Sequence, residues 1–269
     1  MLFIEGSGPP LIVIPGVQGR WEWLRPALRQ LQARCRTISY SLCGDFLSGC
    51  TFDRSRGFDN YMEQLDRVFA EARVERAAVC GISYGGFLAL RYAATRPDRV
   101  SALIIASSPA PGWKPSAIQS AYIASPLRGT PKFVLTSPLR VWPEIRTAFD
   151  RPLDRLAFLA GYGLRAAVAP MYPPLMASRI AGQQRMDFCP DCARVQAPTL
   201  IVSGEPHLDR IVPVESTRRY VDLIPGAKYV QIERTGHLVL VTRPEKFAAI
   251  VGGFVRSASL GFASRGFRL

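Results

Sequence analysis

The chain has 269 residues, 48% hydrophobic and 20% charged, which is ordinary for a soluble globular protein and enough to bury a full core as one α/β domain. No apolar run nears the roughly 20 residues that cross a bilayer, and residues 1–6 lack the basic start and long apolar stretch of a signal peptide, so a cytoplasmic location is expected. The net charge of +13 is almost wholly arginine, yet no run of five basic residues and no alternation of basic with aromatic residues marks a nucleic-acid platform; a scattered arginine-rich surface accounts for it.

In chain order, residues 11–14 form a short buried strand, 23–33 an amphipathic helix and 37–41 a second strand. Residues 59–73 have helical spacing through Tyr61, Met62, Leu65, Val68, Phe69 and Ala72. A strand at 76–80, a helix at 87–94 and a strand at 100–106 follow. This alternation predicts a mostly parallel sheet with helices on both faces. From about 109 to 197 the pattern breaks into a Pro- and Arg-rich stretch with short helical pieces and no clear strand. The strand pattern restarts at 197–204, followed by a helix at 213–224, a last strand at 227–232 and a closing helix from about Pro244 through Phe254. The tail beyond carries Phe262, Phe267 and arginines, and is read either as docked on the body or as loose.

Six cysteines stand at 35, 43, 50, 80, 189 and 192. Cys80 falls in a buried strand, as a small apolar filler does. Cys189 and Cys192 form a lone C-x-x-C; a zinc site calls for a second pair, and the only histidines are His207 and His237. The pair is therefore read as incidental, in a connecting loop, and no metal or cofactor is expected.

Gly81-Ile82-Ser83-Tyr84-Gly85-Gly86 reads G-x-S-x-G between a strand and a helix. A serine on so sharp a turn lifts its Oγ clear of the backbone and sets the next N–H at the head of a helix. The flanking glycines are needed because a side chain there meets the neighbouring strand and helix. Serine is a poor nucleophile unless a base takes its proton, and an imidazole titrates in the useful range. A carboxylate must then hold the imidazole in one tautomer.

Four motifs lie in the order that such sites use: 9–19 (PPLIVIPGVQG), the turn at Ser83, 198–205 (PTLIVSGE) continuing to 208–213 (LDRIVP), and Thr235-Gly236-His237. Over residues 2–109 and 197–256 the chain thereby resembles the α/β-hydrolase superfamily, in its serine-nucleophile branch. The resemblance implies an α/β-hydrolase fold whose core is 1–109 and 197–269, with 110–196 inserted as a helical cap. It implies a triad of Ser83, Asp209 and His237, with the backbone N–H groups of Val17 and Tyr84 as oxyanion hole. Glu205 is the rival acid and His207 the rival histidine. The second family position for the acid, after the strand ending near Ser107, offers no carboxylate. Pro15 stands where the oxyanion loop commonly has His, which leaves the loop's shape open.

Trp21 and Trp23 suit either a pocket wall or packing on the core. Tyr162, Met171, Tyr172, Leu175 and Met176 suit either an acyl pocket or helical packing. The implied activity is hydrolysis of an ester, thioester or related small acyl compound. Carbon–carbon bond hydrolysis and acyl transfer use the same triad, while branches with Asp as nucleophile are excluded by Ser83. A non-catalytic binding protein on this fold remains as an alternative; such proteins often lack a triad member. Oligomeric state and substrate are not specified.

Overall fold

The computed structural model describes residues 2–46 and 48–263. Seven strands form one sheet in the order β1-β3-β2-β4-β5-β6-β7. They are β1 (Leu2–Glu5), β2 (Pro10–Ile14), β3 (Arg36–Tyr40), β4 (Ala77–Ile82), β5 (Val100–Ala106), β6 (Thr199–Ser203) and β7 (Lys228–Gln231). All neighbours pair in parallel except β1, which runs antiparallel to β3 along the edge. The central strands are apolar throughout because both faces are covered. Alternate residues divide between two cores: Ile12, Ile14, Val79, Leu103 and Ile105 face one layer of helices, and Leu11, Val13, Ala78, Cys80 and Ile104 the other.

The first layer contains α2 (Asp59–Glu71) and α3 (Tyr84–Thr95); the second contains α1 (Arg25–Leu31) and the last helix, Pro244–Ala263. Between β5 and β6 the chain builds α4 (Ala117–Ala124), α5 (Pro126–Ala148), α6 (Pro152–Val168), α7 (Pro173–Gln183) and α8 (Cys189–Arg194). After β6 come α9 (Val214–Arg218) and α10 (Tyr220–Leu223), and after β7 come α11 (Val239–Thr242) and α12, the closing helix. Among the described residues no helix is long and apolar enough to cross a membrane.

Several sequence expectations are corrected. The helix expected at 23–33 is a 3-10 turn, Trp21–Leu24, leading into α1; Pro26 at the start of α1 needs no N–H partner there and sets the new axis. β1 is a four-residue edge strand, too short for its period to stand out. The helix expected at 213–224 is two short ones that meet at Arg219. The pieces expected to be short between 109 and 197 include α5, of 23 residues, which continues through Pro131, Pro138 and Pro143. The hydroxyls of Thr130, Thr136 and Ser137 bond back to carbonyls four residues earlier along this helix. In the tail, Phe254 lies within α12 against the second core. Arg265, Phe267 and Arg268 lie outside the described residues, and nothing is described of the Phe262 side chain.

β2, β4 and α3 meet closely. A Cβ added to Gly85 would lie 2.5 Å from the Pro15 carbonyl oxygen and 2.6 Å from that of Ile14. Both are main-chain atoms, at the end of β2 and just beyond it, and cannot swing aside as a side chain can. Gly85→Ala is therefore expected to lower stability by about 1–3 kcal/mol through overpacking. Urea unfolding at constant m-value checks this; an unchanged midpoint contradicts it.

Candidate active site

Parallel strands end on one side of the sheet, so the loops after β2, β4, β6 and β7 converge there. Val17 follows β2, Ser83 follows β4 directly, Asp209 follows β6, and His237 follows β7. The structure brings these residues of distant sequence to one place. Ser83 has φ 52° and ψ −120°, a left-handed conformation that costs a non-glycine residue energy. It is held by its own N–H donating to Ala106 O and by Gly86 N–H donating to its carbonyl, both at 2.9 Å. Tyr84, the next residue, opens α3, so its N–H stands at a positive helix end.

Asp209 is buried and fully engaged. One carboxylate oxygen accepts the N–H groups of Ile211 and Val212 at 2.9 Å each, and the other lies 3.1 Å from His237 Nδ1. The geometry fixes the carboxylate on the backbone and aims its free oxygen at the ring. The His237 side chain is 12% exposed. Burial pulls its pKa down, but the charge and hydrogen bond of Asp209 outweigh this, with a further push from Glu144, so the imidazole titrates above its ordinary range. The approach of the two loops depends on Gly236: a Cβ there would lie 2.5 Å from the Leu208 carbonyl group.

The rivals are placed elsewhere. Glu205 accepts the Arg234 N–H and pairs at 3.4 Å with His207, which is 69% exposed. It braces the turn that carries His237, and Asp209 is the carboxylate that meets the ring. After β5, Ser107 and Ser108 are buried without an acid, as the sequence indicates.

Ser83 and His237 both line a cavity of about 270 Å³. Its walls are mainly apolar and come from the loop after β2, from α4, α5, α7 and from Tyr162 of α6. Val17 lines it too, and a Cβ on Gly16 would lie 3.4 Å from that of Ser83, so the loop after β2 lies directly against the serine. Trp23 is a wall residue; its indole N–H donates to Ala169 O at 2.9 Å and its ring meets Tyr162 edge-on. Trp21 instead packs on Phe3. Of the five candidate wall residues in the insertion, Tyr162, Met171 and Met176 line the cavity. Tyr172 is 59% exposed, and Leu175 lies beside Gly44. Tyr122, Phe133, Arg140 and Val141 also line the cavity, and no motif in the sequence marks them.

Arg179 of α7 was not singled out by sequence, yet it anchors the loop after β2. It is buried, donates to Val17 O at 2.9 Å and Cys43 O at 3.1 Å, and forms an ion pair with Asp45. Burial opposes its charge, but Asp45 and Tyr61 hold its pKa up. The loop that carries Asp45 is closed by a disulfide between Cys43 and Cys50.

The C-x-x-C pair corrects its expected setting: it opens the short helix α8 rather than lying in a loop, and the two thiols are free. Burial pushes Cys192 up to about 12 and Cys189 is also raised, so neither favours the reactive thiolate. Asp191 between them pairs with Arg91 of α3 at 2.5 Å. Among the described residues no three His, Cys, Asp or Glu side chains group as metal ligands.

A family model described as the alpha/beta hydrolase family matches residues 11–250. The chain belongs to the alpha/beta hydrolase family. Within it, the chain is 25% identical to 2-hydroxymuconate semialdehyde hydrolase of Pseudomonas putida, over 96% of this chain and 87% of that protein. It is 26% identical to a pimeloyl-acyl-carrier-protein methyl ester esterase of Nitrosomonas europaea, over 91% and 94%. Its fold is similar to that of the enol-lactonase from Burkholderia xenovorans, with TM-score 0.76 at 19% identity over 95% and 96% of the two chains. Relatives across the family are named hydrolases and esterases, and this chain is an enzyme of that kind.

The anchoring of the loop after β2 can be tested. Arg179→Met leaves Asp45 buried without its partner and is expected to cost about 3–5 kcal/mol. Asp45→Asn in the same chain should return part of that loss. Denaturant unfolding of the single and double variants checks both, and an Arg179→Met protein as stable as the wild type contradicts the assignment.

Proposed function

We propose that this hydrolase cleaves an ester, thioester or related small acyl compound through an acyl-enzyme on Ser83. The observation that carries the reading is the 3.1 Å contact between Asp209 and His237 Nδ1 beside an apolar cavity that Ser83 also lines. In this mechanism Ser83 Oγ attacks the acyl carbon while His237 takes its proton through Nε2. Asp209 holds the ring's Nδ1–H and stabilises the imidazolium. The negative oxygen of the tetrahedral intermediate is met by the N–H groups of Val17 and Tyr84. Collapse of the intermediate breaks the bond to the leaving group, which receives the proton from His237. Water, deprotonated by the same histidine, then releases the acid and restores Ser83.

Residues 110–196 act as the cap in this reading. They close the cavity with Tyr122, Phe133, Tyr162, Met171 and Met176, which suits the apolar part of an acyl substrate. Carbon–carbon bond hydrolysis is the second reading, favoured by the similarity to 2-hydroxymuconate semialdehyde hydrolase; it uses the same three side chains.

A fluorophosphonate probe is expected to label the wild type and to spare Ser83→Ala, read by intact-protein mass spectrometry. Equal labelling of the two proteins moves the nucleophile elsewhere. Asp209→Asn should retain the fold and reduce turnover of an activated ester by about 10⁴, measured with circular dichroism as the control; unchanged turnover removes Asp209 from the role.

A further inference from the structure

Glu144 is a buried carboxylate, 1% exposed, on the last part of α5, and the catalytic scheme above makes no use of it. It reaches into the turn that carries His237. One oxygen accepts Thr235 Oγ1 at 2.8 Å, Leu238 N–H at 2.9 Å and Thr242 Oγ1 at 3.3 Å, and the other lies 3.1 Å from the same Leu238 N–H. Burial raises the pKa of Glu144, while the Leu238 N–H, which can only donate, and the Thr235 hydroxyl favour the ionised carboxylate. On the outer side of the turn, Arg234 donates to Thr147 O at 2.9 Å and pairs with Asp150. The end of α5 thus clasps residues 234–238 from both sides.

A neutral amide here could accept at one oxygen only, with its NH2 standing where the second oxygen is, so the hydrogen bonds favour a carboxylate, which is costly to bury. What the charge has beside it is His237, the group that turns cationic when it takes the Ser83 proton.

We infer that Glu144 is a second carboxylate of the active site, a positioning residue that holds the His237 turn and stabilises the imidazolium alongside Asp209. The inference rests on the proposed role of His237. It joins the cap to the chemistry: the helix that walls the cavity also carries the charge that supports the base.

The charged groups around His237 are Asp209 from the loop after β6 and Glu144 from α5, with Arg140 of α5 lining the same cavity. Arg234 and Glu205 lie on the turn's outer side, bonded to each other through backbone N–H and carboxylate. Glu144 raises the histidine's pKa, so its neutralisation lowers it. A general base works in its neutral form, so the acidic limb of kcat/KM follows that pKa.

Glu144→Gln keeps one acceptor for the turn and removes the charge. The expected results are an acidic limb displaced to lower pH, and a plateau kcat reduced about tenfold with KM unchanged, as loss of an interaction made only with the imidazolium predicts. The chain has two histidines, so ¹³C-histidine NMR with His207→Asn as the assignment control reads His237 directly and without substrate. Its midpoint should fall in Glu144→Gln and stay near the wild type in Glu144→Asp, which retains the charge, even where Glu144→Asp is less stable. If Glu144→Gln does not fold, Glu144→Met removes the charge at similar volume and the same lowered midpoint is expected. A midpoint that tracks loss of stability in Glu144→Asp, or one unmoved in Glu144→Gln, overturns the inference and leaves Glu144 a structural brace. That outcome with Ser83 labelling intact is distinct from failure of the hydrolase reading, in which Ser83 itself is not labelled.

Discussion

The parallel register of β2, β4, β6 and β7 is the constraint on which the site depends. It puts four strand ends on one edge and leaves the following loops to meet above them. The meeting is close enough to dictate residue types. Gly85 lets α3 start against the carbonyl ends of β2, and Gly236 lets the turn after β7 touch the loop after β6. Ser83 can hold its left-handed backbone because the sheet on one side and α3 on the other leave it no alternative.

On that frame, α8 joins the core through Phe188 and Cys192, while buried charges tie α5 and α7 to the core loops. Arg179 of α7 grips the loop after β2 through Val17 O and Asp45, and Glu144 of α5 grips the turn after β7. Each reaches a loop that carries part of the proposed machinery. α6, between these two helices, has no fully buried residue, and its links to the body run through aromatic rings and the Trp23 bond to Ala169.

What the sequence made legible follows from locality. The G-x-S-x-G turn is a single short segment with its strand and helix on either side, so its form can be read from adjacent residues. The proposed base could be singled out because the sequence has two histidines, and the proposed acid because 211–213 follow it closely; the structure adds the contact between Asp209 and His237. Arg179, Glu144 and the Cys43–Cys50 bond were not legible. Their partners lie 134, 94 and 7 residues away in sequence, and nothing in a linear pattern distinguishes an arginine facing Asp45 from one facing water. The length of α5 was hidden for a different reason: three prolines read as breaks, while the packing of Val141 and Ile145 holds the later part of the helix.

The uneven anchoring of the insertion divides it for anyone reshaping the cavity. Tyr122 and Phe133, on α4 and the first half of α5, face the cavity and form an exchangeable wall, while Gln119 of α4 also holds the Ile211 carbonyl of the loop after β6. The end of α5 and the middle of α7 are joints. A graft that replaces residues 110–196 wholesale inherits a new wall but discards both joints, and must supply its own acid for the Leu238 amide and its own cation for Asp45.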